Sequence, residues 1–215
     1  ENLSRLILDG LSNLKDLTPL SSLNRLSVLQ IQASTRLSNL RPLGSLKNLE
    51  EISLSCHASL DNLRGLAAIP RVQRLTINHC HGIRTTTDLN DLPALRCLDL
   101  QGCVGLEKLV FSALPLLEEL NLSGCDRIPE VFSLAALPRL RHLVLSPHPE
   151  SCMDGIGSCF ELVSLDLDGA GIENLDFLED LERLETLTLR LGTIGDCDGL
   201  RHAPALRLVH VDPHL

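Results

Sequence analysis

Residues 95–100 read LRCLDL and residues 117–122 read LEELNL, the same apolar frame, Leu-x-x-Leu-x-Leu, met twice within 22 positions. With Ile or Val allowed, the frame begins at Leu3, Leu26, Leu49, Val72, Leu95, Leu117, Leu140, Leu162, Leu184 and Leu206, in steps of 23, 23, 23, 23, 22, 23, 22, 22 and 22 residues. Self-similarity at a fixed period of this size marks a repeat architecture, whose units are too small to close a core alone and must stack on their neighbours. Residues 1–215 are therefore expected to form a single domain of about ten repeats.

Each unit has two rhythms. The frame alternates with period two, which describes a short strand with its leucines facing one way. The second half places apolar residues three apart, as at Leu14, Leu17, Leu20 and Leu23 or Leu37, Leu40, Leu43 and Leu46. That spacing suits a 3₁₀ or short helical turn. Stacking such units yields an α/β repeat solenoid, with a parallel sheet on one side and 3₁₀ turns, short helical turns or loops on the other. Pro70, Pro93, Pro115, Pro138 and Pro204 each stand two residues before a frame start, where a fixed φ and a missing amide donor stop the turn from running into the strand. The four phenylalanines, Phe111, Phe132, Phe160 and Phe177, fall late in their repeats and are expected to fill the return layer.

Composition narrows the function. The formal net charge of −9 argues against nucleic acid, whose phosphates need a basic stripe. No apolar run is long enough to span a bilayer, so no membrane insertion is expected. Charge is uneven: Glu150–Glu185 holds eleven Asp and Glu against Arg183 alone, whereas Glu1–Leu49 holds six Lys and Arg against three acids. An electropositive partner at the C-terminal half would suit that asymmetry.

The extended motif, Leu-x-x-Leu-x-Leu-x-x-(Cys/Asn)-x-x-Leu, resembles a leucine-rich repeat over essentially the whole chain. The phrases DLTPLSSL (16–23) and NLRPLGSL (39–46) are similar to the short repeats of phosphatase-regulatory leucine-rich proteins and bacterial internalins. QGC (101–103) and SGC (123–125) resemble cysteine-bearing arrays of plant intracellular immune receptors and protist repeat proteins. The resemblance implies an arc with the sheet on its concave face, and a non-enzymatic module that binds a partner protein or extended peptide there.

On such a face the side chains between the frame leucines are the informative ones. The candidate binding set is Gln30, Gln32, Arg74, Thr76, Asn78, Asp99, Gln101, Glu119, Asn121, His142, Asp166, Asp168 and Arg190. Ten strands about 4.8 Å apart make a ribbon roughly 43 Å long. Asp99, Asn121, Asp166 and Asp168 form its most acidic stretch, to which a Lys- or Arg-rich segment of the partner is matched. The alternatives are a rigid spacer in a larger assembly and a ligand-sensing segment of an intracellular immune-type receptor.

The stretch INHCHG (77–82) sets His79, Cys80 and His81 in a row, which invites a metal or nucleophile reading. The repeat frame argues otherwise. Cys80 holds the ninth position of its repeat, as do Cys103 and Cys125 in the next two. There an inward-turned thiol meets backbone carbonyls at the strand-to-turn corner. The three are expected to form a structural thiol ladder, with His79 and His81 pointing away from it. Cys152 and Cys159 match no common zinc spacing, and the chain carries no Gly-x-Ser-x-Gly, Walker, Rossmann or His-Glu-x-x-His pattern. No metal, cofactor or catalytic residue is expected. In SPHPESCMDGIGSC (146–159) the leucine rhythm lapses, so the turn either bulges out as a contact loop or is a poor repeat carried by its neighbours.

Eight cysteines without a dense disulfide pattern suit a reducing compartment. Of two glycosylation sequons, the one at Asn121 would place a glycan in mid-ribbon. Both observations point to a cytoplasmic protein. Neither end carries a polar cap, so further chain or a partner is expected to cover the array, and the 215 residues read as part of a longer one.

Overall fold

The structure is a computed structural model, and it describes residues 2–112, 114–128, 132–146, 154–168, 172, 174–190 and 196–211. A strand begins two residues after each frame start. The strands are β1 (Arg5–Asp9), β2 (Val28–Gln32), β3 (Glu51–Ser55), β4 (Arg74–Asn78), β5 (Cys97–Asp99), β6 (Glu119–Leu122), β7 (His142–Leu145), β8 (Ser164–Asp168), β9 (Thr186–Arg190) and β10 (Leu208–Val211). They form one sheet in chain order, every pair parallel, with equivalent repeat positions facing each other: Gln30 pairs Ser53, Ser53 pairs Thr76, Thr76 pairs Asp99 and Asp99 pairs Asn121. Register is pinned because a one-residue slip would turn the core leucines out to solvent.

The core is a set of leucine columns. Leu29, Ile52, Leu75, Leu98, Leu120, Leu143, Leu165 and Leu187 are each at most 2% exposed, and the third frame residue makes a second column from Ile31 to Leu189. The return segments close the other side with 3₁₀ turns at Thr18–Ser22, Arg41–Ser45, Leu66–Ala68, Thr87–Leu89, Phe132–Ala136, Asp176–Leu178 and Asp198–His202. Several start at an Asx turn that recurs with the repeat. The amides of Thr18, Arg41, Arg64, Asp176 and Asp198 donate to the carboxylate or amide oxygens of Asp16, Asn39, Asn62, Asn174 and Asp196. Those short side chains satisfy the first orphan amide of each turn locally.

The seventh repeat keeps its packing where it is described. A single helical turn, α1 (Asp154–Gly157), brings Ile156 inward at 0% exposure and Cys159 at 2%. They fill places held by leucines in other repeats, and the Cys159 thiol lies 3.8 Å from the Leu134 carbonyl. Residues 147–153, including Cys152, lie outside the described set.

The expectation that every phenylalanine fills the return layer fails at Phe160. Phe111 is buried and Phe177 packs partly against the core, but Phe160 is 65% exposed. The reason is register. Phe160 stands two residues before Leu162, in the column that other repeats give to proline, and Pro70, Pro93, Pro115, Pro138 and Pro204 are all exposed.

Candidate functional site

The corner after each strand orients the side chains around it. Gly10, Ala33, Cys56, His79, Gly102 and Gly124, the eighth residue of repeats one to six, have φ values of 67°, 53°, 61°, 54°, 69° and 69°. In repeats two to six this left-handed turn aims the next residue, the ninth, into the core, whereas Leu11 of repeat one stays 44% exposed. Ser34, His57, Cys80, Cys103 and Cys125 are buried there at 0% exposure. Cys103 Sγ donates to the Ile77 carbonyl at 3.0 Å and Cys125 Sγ to Leu100 at 3.2 Å, each reaching the strand one repeat back. Cys80 Sγ lies 3.5 Å from the Asn78 carbonyl and 3.9 Å from that of Leu54. His57 fills the same slot with both ring nitrogens 3.0 Å from carbonyl oxygens, Nδ1 at Ser34 and Nε2 at Ile31. A neutral ring donates through one nitrogen only, so each tautomer satisfies one of the two carbonyls. Burial pushes the thiols up, to about 11 for Cys80 and about 12 for Cys103 and Cys125, which keeps them protonated and unreactive. His79 and His81 are exposed. Among the described residues no group of three or more His, Cys, Asp or Glu is placed to hold a metal ion.

On the sheet face the candidate residues separate into two groups. Gln101, Asn121, Asp166, Asp168 and Arg190 line one shallow depression of about 490 Å³, together with His79, Gly102, Ser123, Gly124 and Val144. Gln30 and Gln32 stand on β2, and Arg74, Thr76 and Asn78 on β4. Asp99 on β5, Glu119 on β6 and His142 on β7 share the face without lining the depression. His79, Ser123 and Val144 are the lining side chains that the candidate set lacks. Ser123 and Val144 occupy the same columns as candidate residues, and His79 is brought to the rim by its left-handed φ.

Several polar groups on this face are engaged within the chain. Asp99 Oδ1 accepts from the Gln101 amide at 3.0 Å and Asn121 Oδ1 from the Ser123 amide at 3.0 Å, closing two corners. Asn78 Nδ2 donates to Asp99 Oδ2 at 3.2 Å. Arg190 Nη2 donates to Asp166 Oδ2 at 2.8 Å, so this guanidinium is partly spent inside the molecule. Asn78 Oδ1 and Asp166 Oδ1 are enclosed and have no hydrogen-bond partner among the described residues. Burial pushes the Asp166 carboxyl above the usual carboxylate range, against the pull of Arg190 and with the repulsion of Asp168. An oxygen in this state gains more than an exposed one from an added donor.

No family model matches the chain. Among solved structures it is similar to an internalin (inlF) from Listeria monocytogenes, with a TM-score of 0.71 and 21% identity over 93% of this chain and 58% of that one. It is also similar to internalin C2 from Listeria monocytogenes, with a TM-score of 0.63 and 18% identity over 89% of this chain and 83% of that one. At these identities the likeness is one of fold. The chain has a leucine-rich-repeat fold, a solenoid whose described residues form a ten-stranded parallel sheet on one face and short 3₁₀ turns on the other. It spans 58% of the length of the first of these internalins.

Proposed function

We propose that the sheet face binds a partner protein or an extended peptide, centred on the depression over β5 to β9, and that the occupant presents a lysine or arginine to Asp166 and Asp168. One observation carries the reading: a polar depression with two carboxylates in its lining, Asp166 and Asp168, that no other part of the described chain covers. Acids outnumber bases in its lining, where Asp166 and Asp168 are set against Arg190. Extended concave faces of solenoids serve recognition because adjacent repeats contribute adjacent contacts. The role is binding without catalysis, since the lining groups spread over several strands of a shallow face instead of converging on one reacting atom. An intracellular setting accords with thiols held in hydrogen bonds at the ninth position.

Affinity capture from native extract, with the parent chain and the Asp166→Lys/Asp168→Lys variant side by side, tests the proposal. The expected result is a partner set that the reversal depletes while circular dichroism of the variant is unchanged. Partners retained by the reversal but lost when terminal repeats are removed would favour a rigid spacer.

A further inference from the structure

A second surface lies on the lateral edge, where the chain enters the strands, and its chemistry is opposite to that of the sheet face. Arg139 and Arg141 flank the frame start Leu140 and, with Pro138, Glu118 and Glu161, line a depression of about 510 Å³. Both acids of that depression are already committed: Glu118 to Arg96 at 2.5 Å and Glu161 to Arg183. Arg139 and Arg141 are exposed, and neither has an ion-pair partner among the described residues. Four guanidinium groups thus stand against two carboxylates in a chain whose net charge is −9.

Phe160 immediately precedes Glu161, one of the lining residues, and occupies the register position of Pro138, another of them, one repeat on. Proline in that column has a backbone reason to be exposed, because it ends the turn. A phenylalanine there ends no turn, and the register leaves 65% of its surface facing solvent. Glu182 follows in the column and bounds the patch on its far side. An aromatic ring beside unpaired arginines is the composition that dominates binding energy at protein interfaces.

We propose that this edge is a second docking surface, independent of the sheet face, for a partner protein's acidic segment that also carries an apolar side chain. The apolar side chain covers Phe160 and Pro138, and carboxylates reach Arg139 and Arg141, where each planar guanidinium fork donates a pair of hydrogen bonds to them. Glu182 sets the orientation by repelling acids from the far side of the ring.

Fluorescence anisotropy with two labelled peptides tests this: one alternating Glu or Asp with Leu and Phe, the other with Lys in place of every acid. The acidic peptide should bind saturably and more weakly at high salt. Its affinity should fall roughly tenfold or more in Phe160→Ala and in Arg139→Glu/Arg141→Glu, and stay unchanged in Asp166→Lys/Asp168→Lys. The milder Arg139→Gln/Arg141→Gln variant should lie in between, which guards against misfolding of the reversal. Absence of saturable binding, equal binding by the edge variants, or preference for the Lys peptide would each overturn the proposal. So would sedimentation showing Phe160-dependent self-association, which would make a second copy the occupant. A failed sheet-face reading leaves these outcomes untouched, because the two variant sets share no residue.

Discussion

Cys103 shows how far the chemistry of a single residue is set by its place in the repeat. Its thiol donates to the Ile77 carbonyl one repeat back, and burial pushes its pKa up to about 12. Thiolate is the species that reacts, so the thiol stays protonated and unreactive at pH 8. Cys56 and Cys197 are exposed. Alkylation of the native protein at pH 8, read by mass spectrometry, should modify those two first and reach Cys80, Cys103, Cys125 and Cys159 only after unfolding. Labelling of Cys103 as fast as Cys56 would contradict the buried ladder. The neighbouring corner position carries strain that sequence alone does not display. Ala33, Cys56 and His79 adopt φ values of 53°, 61° and 54°, a region that costs a side-chain-bearing residue roughly 1–2 kcal/mol. Cys56→Gly is therefore expected to stabilise the protein by about 1 kcal/mol in a denaturant titration. Gly102→Ala should destabilise it more than Gly10→Ala. A Cβ at Gly102 falls 2.3 Å from His79 Nδ1, whereas one at Gly10 meets nothing within 4 Å.

At the scale of elements, the return segments depend on side chains that stand in for backbone partners. Thr86 sits in a column that holds leucine at Leu17, Leu40, Leu63 and Leu109, and is buried at 0% exposure. Its hydroxyl accepts from the Val110 amide at 2.7 Å and donates to the Val110 carbonyl at 3.0 Å, beside the bridge between Thr85 and Lys108. Thr86→Val preserves the shape but leaves both Val110 groups unpaired. The expected cost is about 1–3 kcal/mol, with Thr86→Ser costing less; thermal unfolding of the two variants would show the order. A loss no greater in the valine variant would mean that the hydroxyl does not support that turn. The sheet face follows the same logic in reverse. Where Asp99 and Asn121 are spent on corners, Asp166 keeps one oxygen without a partner among the described residues.

For the molecule as a whole, stability is a chain of nearest-neighbour interfaces. Leu98 on β5 is 1% exposed and packs between the leucine columns of adjacent repeats. Leu98→Ala should cost about 2–5 kcal/mol, and the loss of hydrogen-exchange protection should be greatest at β4, β5 and β6 and fade toward β1 and β10. Uniform loss along all ten strands would instead show a single cooperative unit. The same modularity keeps the acidic sheet face and the cationic lateral edge apart, since successive repeats add to each surface separately.

The spacing of leucines alone determined the strands, their parallel order and the ladder position of Cys80, Cys103 and Cys125, because period two and the 22–23-residue step admit one way to bury the frame. It also marked the columns from which a binding face is drawn. Tertiary structure decided which members of those columns remain available. Arg190 is engaged by Asp166 across two strands, and His79 reaches the depression only because its backbone turns left-handed. Phe160 is exposed because its register places it among the prolines. The Arg190–Asp166 pair joins residues 24 positions apart along the chain, which no local pattern specifies. A periodic pattern specifies which residues lie in line, whereas charge pairing and exposure are set by what the next repeat presents to them.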